Sequence, residues 1–271
     1  MIELLRQAAA EHPEQLAYAS DPVQLTFAEL AERAEVAAAN LRARGIDRFA
    51  VLEPEPSVIW TLVAAASLAG AEACVYPIAA PADTIDQLRA HLEHETLVTS
   101  RDLDAPGAVD PATLFEDAGA PRVEEPPADR PLMVLTTGTS GLPKGAQHQW
   151  DRLLRVAGRI DPTPHHRWLL AYGLNQFGGL QILLHVTAAH ATLVSGETFQ
   201  PKDGLAAMRR WGVTHASGTP TFWRFLLAEI RADGLGAPAL RQVTLSGEAV
   251  PGPLLEQVKA TFPDARVSQL F

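Results

Sequence analysis

PLMVLTTGTSGLPKG, Pro131 to Gly145, decides how this chain is read. An apolar, strand-like run, PLMVLTT, passes directly into a loop. The loop holds Gly138 and Gly141 among the hydroxyls of Thr136, Thr137, Thr139 and Ser140, and Lys144 follows. Glycine lets backbone N–H groups converge on an anion. Hydroxyls add donors of adjustable direction, and Lys144 adds a positive point charge. The combination suits a polyphosphate. It is not a Walker A loop, in which lysine opens a helix within G-x-x-x-x-G-K-[ST]. Here Lys144 stands between Pro143 and Gly145. The plainer alternative is a Gly/Ser/Thr surface turn that binds nothing.

Helical and strand patterns alternate on both sides of this loop. Thr26 followed by Glu29 is a capping-box signature, and Phe27, Leu30, Ala34 and Leu41 recur at helical spacing up to a stop at Gly45. Strands are expected at FAVLE (49–53), ACVYPI (73–78) and TLVTS (96–100), with a buried helix over 57–69 and a surface helix over 83–94. Further strands are expected at RWLLAY, ATLV, VTHAS, RQVTLS and ARVSQLF, and helices over 150–160, 178–188, 203–211, 220–232 and 253–262. This alternation predicts an α/β fold with mostly parallel, helix-covered sheets. Residues 101–131 are acidic and rich in proline, and read as a surface connection between sub-regions 1–100 and 132–271. ARVSQLF stops in mid-pattern at Phe271, so the domain is expected to be incomplete at its C-terminus.

Composition narrows the function classes. The chain has 271 residues, 47% of them hydrophobic, enough for a sizeable core. A net charge of −10 argues against a nucleic-acid-binding surface. One cysteine, Cys74, excludes an internal disulfide. No signal peptide or membrane span is evident, and a cytoplasmic protein is expected. His91 and His94 stand three apart in HLEHE, but this is not a zinc motif, and a solvated helix face is expected there; no metal site is assigned. His165 and His166, after a Pro-rich turn, are expected to be exposed. Phe222 and Trp223, grouped with Phe225 and Leu226, read as core packing.

TTGTSGLPKG (136–145) resembles the phosphate-binding signature of the adenylate-forming superfamily: acyl- and aryl-CoA synthetases, the adenylation domains of peptide synthetases, and luciferases. Further stretches resemble that family in its own order. They are LTFAELAERAEVAAANLRARGID (25–47), SVIWTLVAAASLAGAEACVYPI (57–78), GLNQFGGLQILLHVTAAHATLV (173–194), SGTPTFWRFLL (217–227) and LRQVTLSGEAVPGPLLEQVKATFPDARVSQLF (240–271). The similarity covers nearly the whole chain, and the phosphate loop is its specific element. It implies the N-terminal part of the family's large domain.

The resemblance implies an enzyme that joins a carboxylic acid to AMP using ATP with Mg²⁺, then passes the acyl group to coenzyme A or a carrier-protein phosphopantetheine. It implies that Thr136, Thr137, Gly138, Thr139, Ser140, Gly141 and Lys144 surround the β- and γ-phosphates. Ser246, Gly247 and Glu248 fall on the family's Gly-Glu turn beside adenine and the acyl pocket, with Ser246 in place of a glycine. Asn175, where many members have histidine or an aromatic residue, would border the acid's entry with Gln176, Phe177 and Gly178. His190 replaces the glycine of a turn, a local loop variation. The family's Mg²⁺-binding glutamate, ribose-binding aspartate and C-terminal lysine have no counterpart among these residues, so catalytic residues are unassigned. The isolated chain is expected to adenylate poorly and to aggregate through exposed sheet edges. A stand-alone CoA ligase is favoured over a peptide-synthetase module. A non-catalytic nucleotide- or acyl-binding module is the alternative, and a P-loop NTPase is disfavoured.

Overall fold

A computed structural model describes residues 1–103, 105–136 and 142–270. Helix α1 (Ile2–Glu11) precedes two short strands, β1 (Leu16–Ala19) and β2 (Gln24–Thr26). Thr26 then starts α2 (Phe27–Ala43) with the expected capping box. Its hydroxyl accepts from the Glu29 N–H at 3.2 Å, and the Glu29 carboxylate accepts from the Thr26 N–H at 2.8 Å. Strand β3 (Arg48–Val51), α3 (Pro56–Ala69), β4 (Glu72–Val75), α4 (Ala82–Leu92) and β5 (Thr96–Val98) follow. Helix α3 is buried along most of its length and ends at Gly70, whose φ of 80° is a left-handed value that suits glycine.

Strand β6 (Ala108–Val109) and α5 (Ala112–Phe115) lie within the Pro-rich stretch. Then come β7 (Pro131–Thr136), β8 (Lys144–Gln149), α6 (Trp150–Ala157), β9 (Arg167–Leu170), α7 (Phe177–Ala188) and β10 (Thr192–Val194). The chain continues through α8 (Pro201–Trp211), β11 (His215–Gly218), α9 (Pro220–Asp233), β12 (Gln242–Ser246), α10 (Gly252–Thr261) and β13 (Arg266–Leu270).

The strands form two sheets. One has the order β6-β5-β3-β4-β7-β8 and is parallel except for the antiparallel β7–β8 pair. The other has the order β13-β12-β11-β9-β10-β1-β2, with parallel pairing from β13 through β1. This is the α/β, mostly parallel architecture expected from the alternation of patterns.

Two compact units interleave along the chain. The first takes residues 1–14, 26–161 and 174–188; the second takes 15–25, 162–173 and 189–271. The first unit has a core of Ala50, Leu52, Cys74, Tyr76, Ile85 and Leu88. The second is centred on Leu169, Val194, Trp223, Leu226, Val243 and Leu245. Within the second, the buried Trp223 indole donates to the Thr244 carbonyl at 3.0 Å.

Several expectations need correction. Residues 101–131 do not separate two sub-regions: they lie inside the first unit. The buried Asn40 carboxamide donates to the Leu114 and Glu116 carbonyls, both at 2.9 Å, and Arg6 donates to the Val123 and Glu124 carbonyls. These bonds stitch the stretch to α1 and α2. His91 is exposed, but His94 is buried. Helix α4 stops at Leu92, Glu93 turns left-handed (φ 55°), and His94 swings inward to meet the Tyr76 hydroxyl at 2.8 Å. His166 is half-buried because its ring packs against His215 in a tilted pair, with centroids 4.0 Å apart. Phe222, Trp223 and Leu226 are in the core, but Phe225 is 56% exposed.

Candidate functional site

In the first unit, β7 and β8 pair in register from Pro131↔Gln149 to Thr136↔Lys144. The Thr136 hydroxyl donates to the Lys144 carbonyl at 3.1 Å, closing the last rung. The loop is therefore anchored at both ends. Thr137, Gly138, Thr139, Ser140 and Gly141 lie outside the described residues. Lys144 opens a strand rather than a helix, which removes the Walker A geometry. Its side chain is exposed and makes no ion pair among the described residues. Gly145 has a steric reason to be glycine. A Cβ there would fall 2.5 Å from Met133 Sδ and 3.1 Å from Leu92 Cδ2.

Strand β8 was not foreseen. Its sequence, KGAQHQ, is too polar to show strand periodicity. Its pairing explains His148, which stands opposite Leu132. The His148 ring stacks on Phe177 at the start of α7, centroids 5.4 Å apart and planes 25° apart. Asn175, two residues before Phe177, is half-buried and lines a narrow apolar crevice with Val63, Leu132, Val134, Leu174 and Leu180. The crevice holds about 10 Å³, room for roughly one water. Gln176 and Phe177 are exposed, and Gly178 lies in the first turn of α7. Asn175 and Phe177 are thus brought together with strand β7 and with His148, which sequence reasoning missed.

The second unit carries the Ser-Gly-Glu turn. Ser246 ends β12, and its hydroxyl lies 2.6 Å from the Tyr172 hydroxyl, which is in turn 3.4 Å from the Ser217 hydroxyl. Gly247 follows with φ +83°, a conformation other residues adopt only with strain. Glu248 is exposed and accepts from the Thr221 hydroxyl at 2.7 Å. This turn stands at the C-terminal end of parallel strand β12, the side on which open α/β sheets bind ligands. His190 adopts φ +52° and is buried, so a side chain occupies a left-handed position that glycine takes more easily.

The free cationic donor on the hairpin, among the described residues, is the Lys144 ammonium. It fits phosphate oxygens and cannot ligate Mg²⁺, a cation that takes oxygen ligands. Among the described residues, no helix is long and apolar enough to cross a membrane.

The two mostly parallel, helix-covered sheets and the Ser-Gly-Glu turn at the C-terminal end of β12 define an α/β class whose ligands bind at strand C-termini. The chain belongs to the AMP-binding enzyme family, whose model matches residues 5–271. It is 28% identical to the 2-succinylbenzoate–CoA ligase of Bacillus velezensis, across 94% of this chain and 55% of that protein. It is 25% identical to the D-alanine–D-alanyl carrier protein ligase of Bacillus licheniformis, across 98% of this chain and 57% of that protein. Its fold matches the O-succinylbenzoate coenzyme A synthetase of Bacillus subtilis, solved in complex with AMP, with a TM-score of 0.81 and 25% identity over 95% of this chain and 56% of that one. The chain thus spans about half the length of the curated relatives it matches.

Proposed function

We propose that the protein activates a carboxylic acid with ATP and passes the acyl group to a thiol. The acid's carboxylate oxygen attacks the α-phosphorus, the bond to the β-phosphate breaks, and pyrophosphate leaves with its electrons. A thiolate, from coenzyme A or a carrier-protein phosphopantetheine, then takes the acyl carbon and AMP leaves. The observation that carries this reading is the AMP-binding family match along residues 5–271, supported by the TTGTSGLPKG string in the sequence, whose ends Thr136 and Lys144 pair.

In this reading the chain's own residues position and compensate charge. Lys144 approaches the β- and γ-phosphates, surrounded by Thr136, Thr137, Gly138, Thr139, Ser140 and Gly141. Asn175, Phe177 and Gly178 form the acid's entry. Ser246, Gly247 and Glu248 sit beside adenine and the acyl group. Mg²⁺ would supply further charge neutralisation to the phosphates, held by residues other than these. A CoA-dependent ligase is preferred over a peptide-synthetase module.

A second reading follows from the coverage of about half of each relative: the 271-residue chain alone binds a nucleotide or acyl group without completing adenylation. ATP–pyrophosphate exchange with a panel of carboxylic acids separates the two. Exchange above background that falls about ten-fold in Lys144→Ala supports catalysis by this chain. ATP binding without exchange supports the binding module.

A further inference from the structure

Helices α6 and α7 enclose a groove that shares only Phe177 with the proposed acid entry. It has a volume of about 250 Å³ and is lined by Leu153, Val156, Ile160, Phe177 and Leu184, with Arg152 at its rim. Val156 is 73% exposed and Phe177 41% exposed. Spacing explains the layout. Within α6, residues 152 and 155 fall on one stripe and 153 and 156 on the next, and Arg159 and Ile160 follow the helix. Arg152, Arg155 and Arg159 are all exposed, and none makes an ion pair among the described residues. Three uncompensated arginines beside an open apolar groove are notable in a chain with 32 acidic and 22 basic residues.

We propose that this groove docks an acidic amphipathic helix of a protein partner. The partner's apolar side chains would enter between α6 and α7, and its carboxylates would pair with the arginine stripe. Charge complementarity selects this occupant. A second copy of the chain related by a two-fold axis would bring the arginine stripe against itself. A planar lipid surface would meet the rim but not enter a recess. Helix α6 (Trp150–Ala157) extends about 12 Å at helical rise, enough to support about two turns of a docked helix. This inference does not depend on the catalytic reading.

The test is fluorescence anisotropy with a synthetic peptide of about 18 residues, long enough to form a helix. It carries leucine at i, i+3, i+4 and i+7 and glutamate elsewhere. Saturable binding with a Kd of about 10–100 μM is expected. Arg152→Glu with Arg155→Glu should weaken it at least about ten-fold, and changing the peptide's glutamates to lysine should restore binding to that variant. Val156→Asp should weaken binding independently, which keeps the test open if the double variant misfolds by circular dichroism. Absence of saturable binding up to about 1 mM would overturn the proposal, as would binding indifferent to these substitutions. Tighter binding to phosphatidylserine vesicles, lost in the same variants, would assign the face to a membrane instead.

Discussion

The Thr136 hydroxyl and the Lys144 carbonyl, 3.1 Å apart, close the open end of the β7–β8 hairpin. This rung fixes the two strand ends that flank residues 137–143, and the Lys144 cation leaves from one of those ends. Positioning of this kind is what an anion site requires, because donors fixed before the ligand arrives need little reorganisation.

Gly145 supports the same hairpin from below. Its missing side chain makes room for Met133 and Leu92. Gly145→Ala should lower stability by about 1–3 kcal/mol through overpacking, measured by urea denaturation. In a double-mutant cycle, the cost of Gly145→Ala should be smaller when Met133 is already Ala.

Strand β4 holds a buried carboxylate. Glu72 faces its register partner Arg48, whose Nε donates to it at 2.8 Å, and Gln147 donates to its other oxygen. His94 Nε2 lies 3.9 Å away. Burial alone would raise the Glu72 pKa, but the neighbouring His94, the Gln147 and Arg48 hydrogen bonds and the Arg48 charge outweigh it and hold it at about 2. A folded-state pKa below the unfolded one stabilises the fold above the unfolded value of 4.5 and loses that contribution as pH falls toward 2. Glu72→Gln should therefore cost about 1–3 kcal/mol near neutral pH, with the gap to wild type narrowing below about pH 5. Denaturation midpoints across that range check it.

Gly247 sits at φ +83° with open space around it; a Cβ would meet only Thr219 Cγ2 at 3.8 Å. Gly247→Ala should cost about 1–2 kcal/mol from backbone strain alone. Ser246→Gly should cost about 1 kcal/mol by removing the hydroxyl partner of Tyr172. Thermal melts of both variants read these losses.

Strand β13 forms one edge of the seven-stranded sheet, and Leu270 on it is 60% exposed. Exposed edges template pairing with other chains. Light scattering should show concentration-dependent association of the chain, reduced by Leu270→Lys. A monodisperse monomer at all concentrations would contradict this.

Where the sequence spoke clearly, the signal was periodic or local. The Thr26–Glu29 box, the all-apolar helix α3 and the alternation of apolar strands with helices read directly. What it hid depends on long-range pairing. KGAQHQ is a strand only because β7 offers it a partner. His94 turns inward only because Glu93 takes a left-handed conformation. Residues 101–131 look like a linker by composition, yet Asn40 and Arg6 fasten them to the first unit. The proposed phosphate loop is legible only as a string of residue types, and Thr137 to Gly141 lie outside the described residues. The His148–Phe177 stack was not, because it joins residues from a strand without pattern and a helix start.

The most direct test is calorimetric titration of the chain with ATP and with AMP, repeated on Lys144→Ala. If the hairpin holds the β- and γ-phosphates, ATP binds saturably at one site. Lys144→Ala then weakens ATP about ten-fold, the scale of one charge-assisted hydrogen bond, and leaves AMP unchanged. No ATP binding by the wild-type chain, or equal ATP affinity in wild type and variant, would contradict the account.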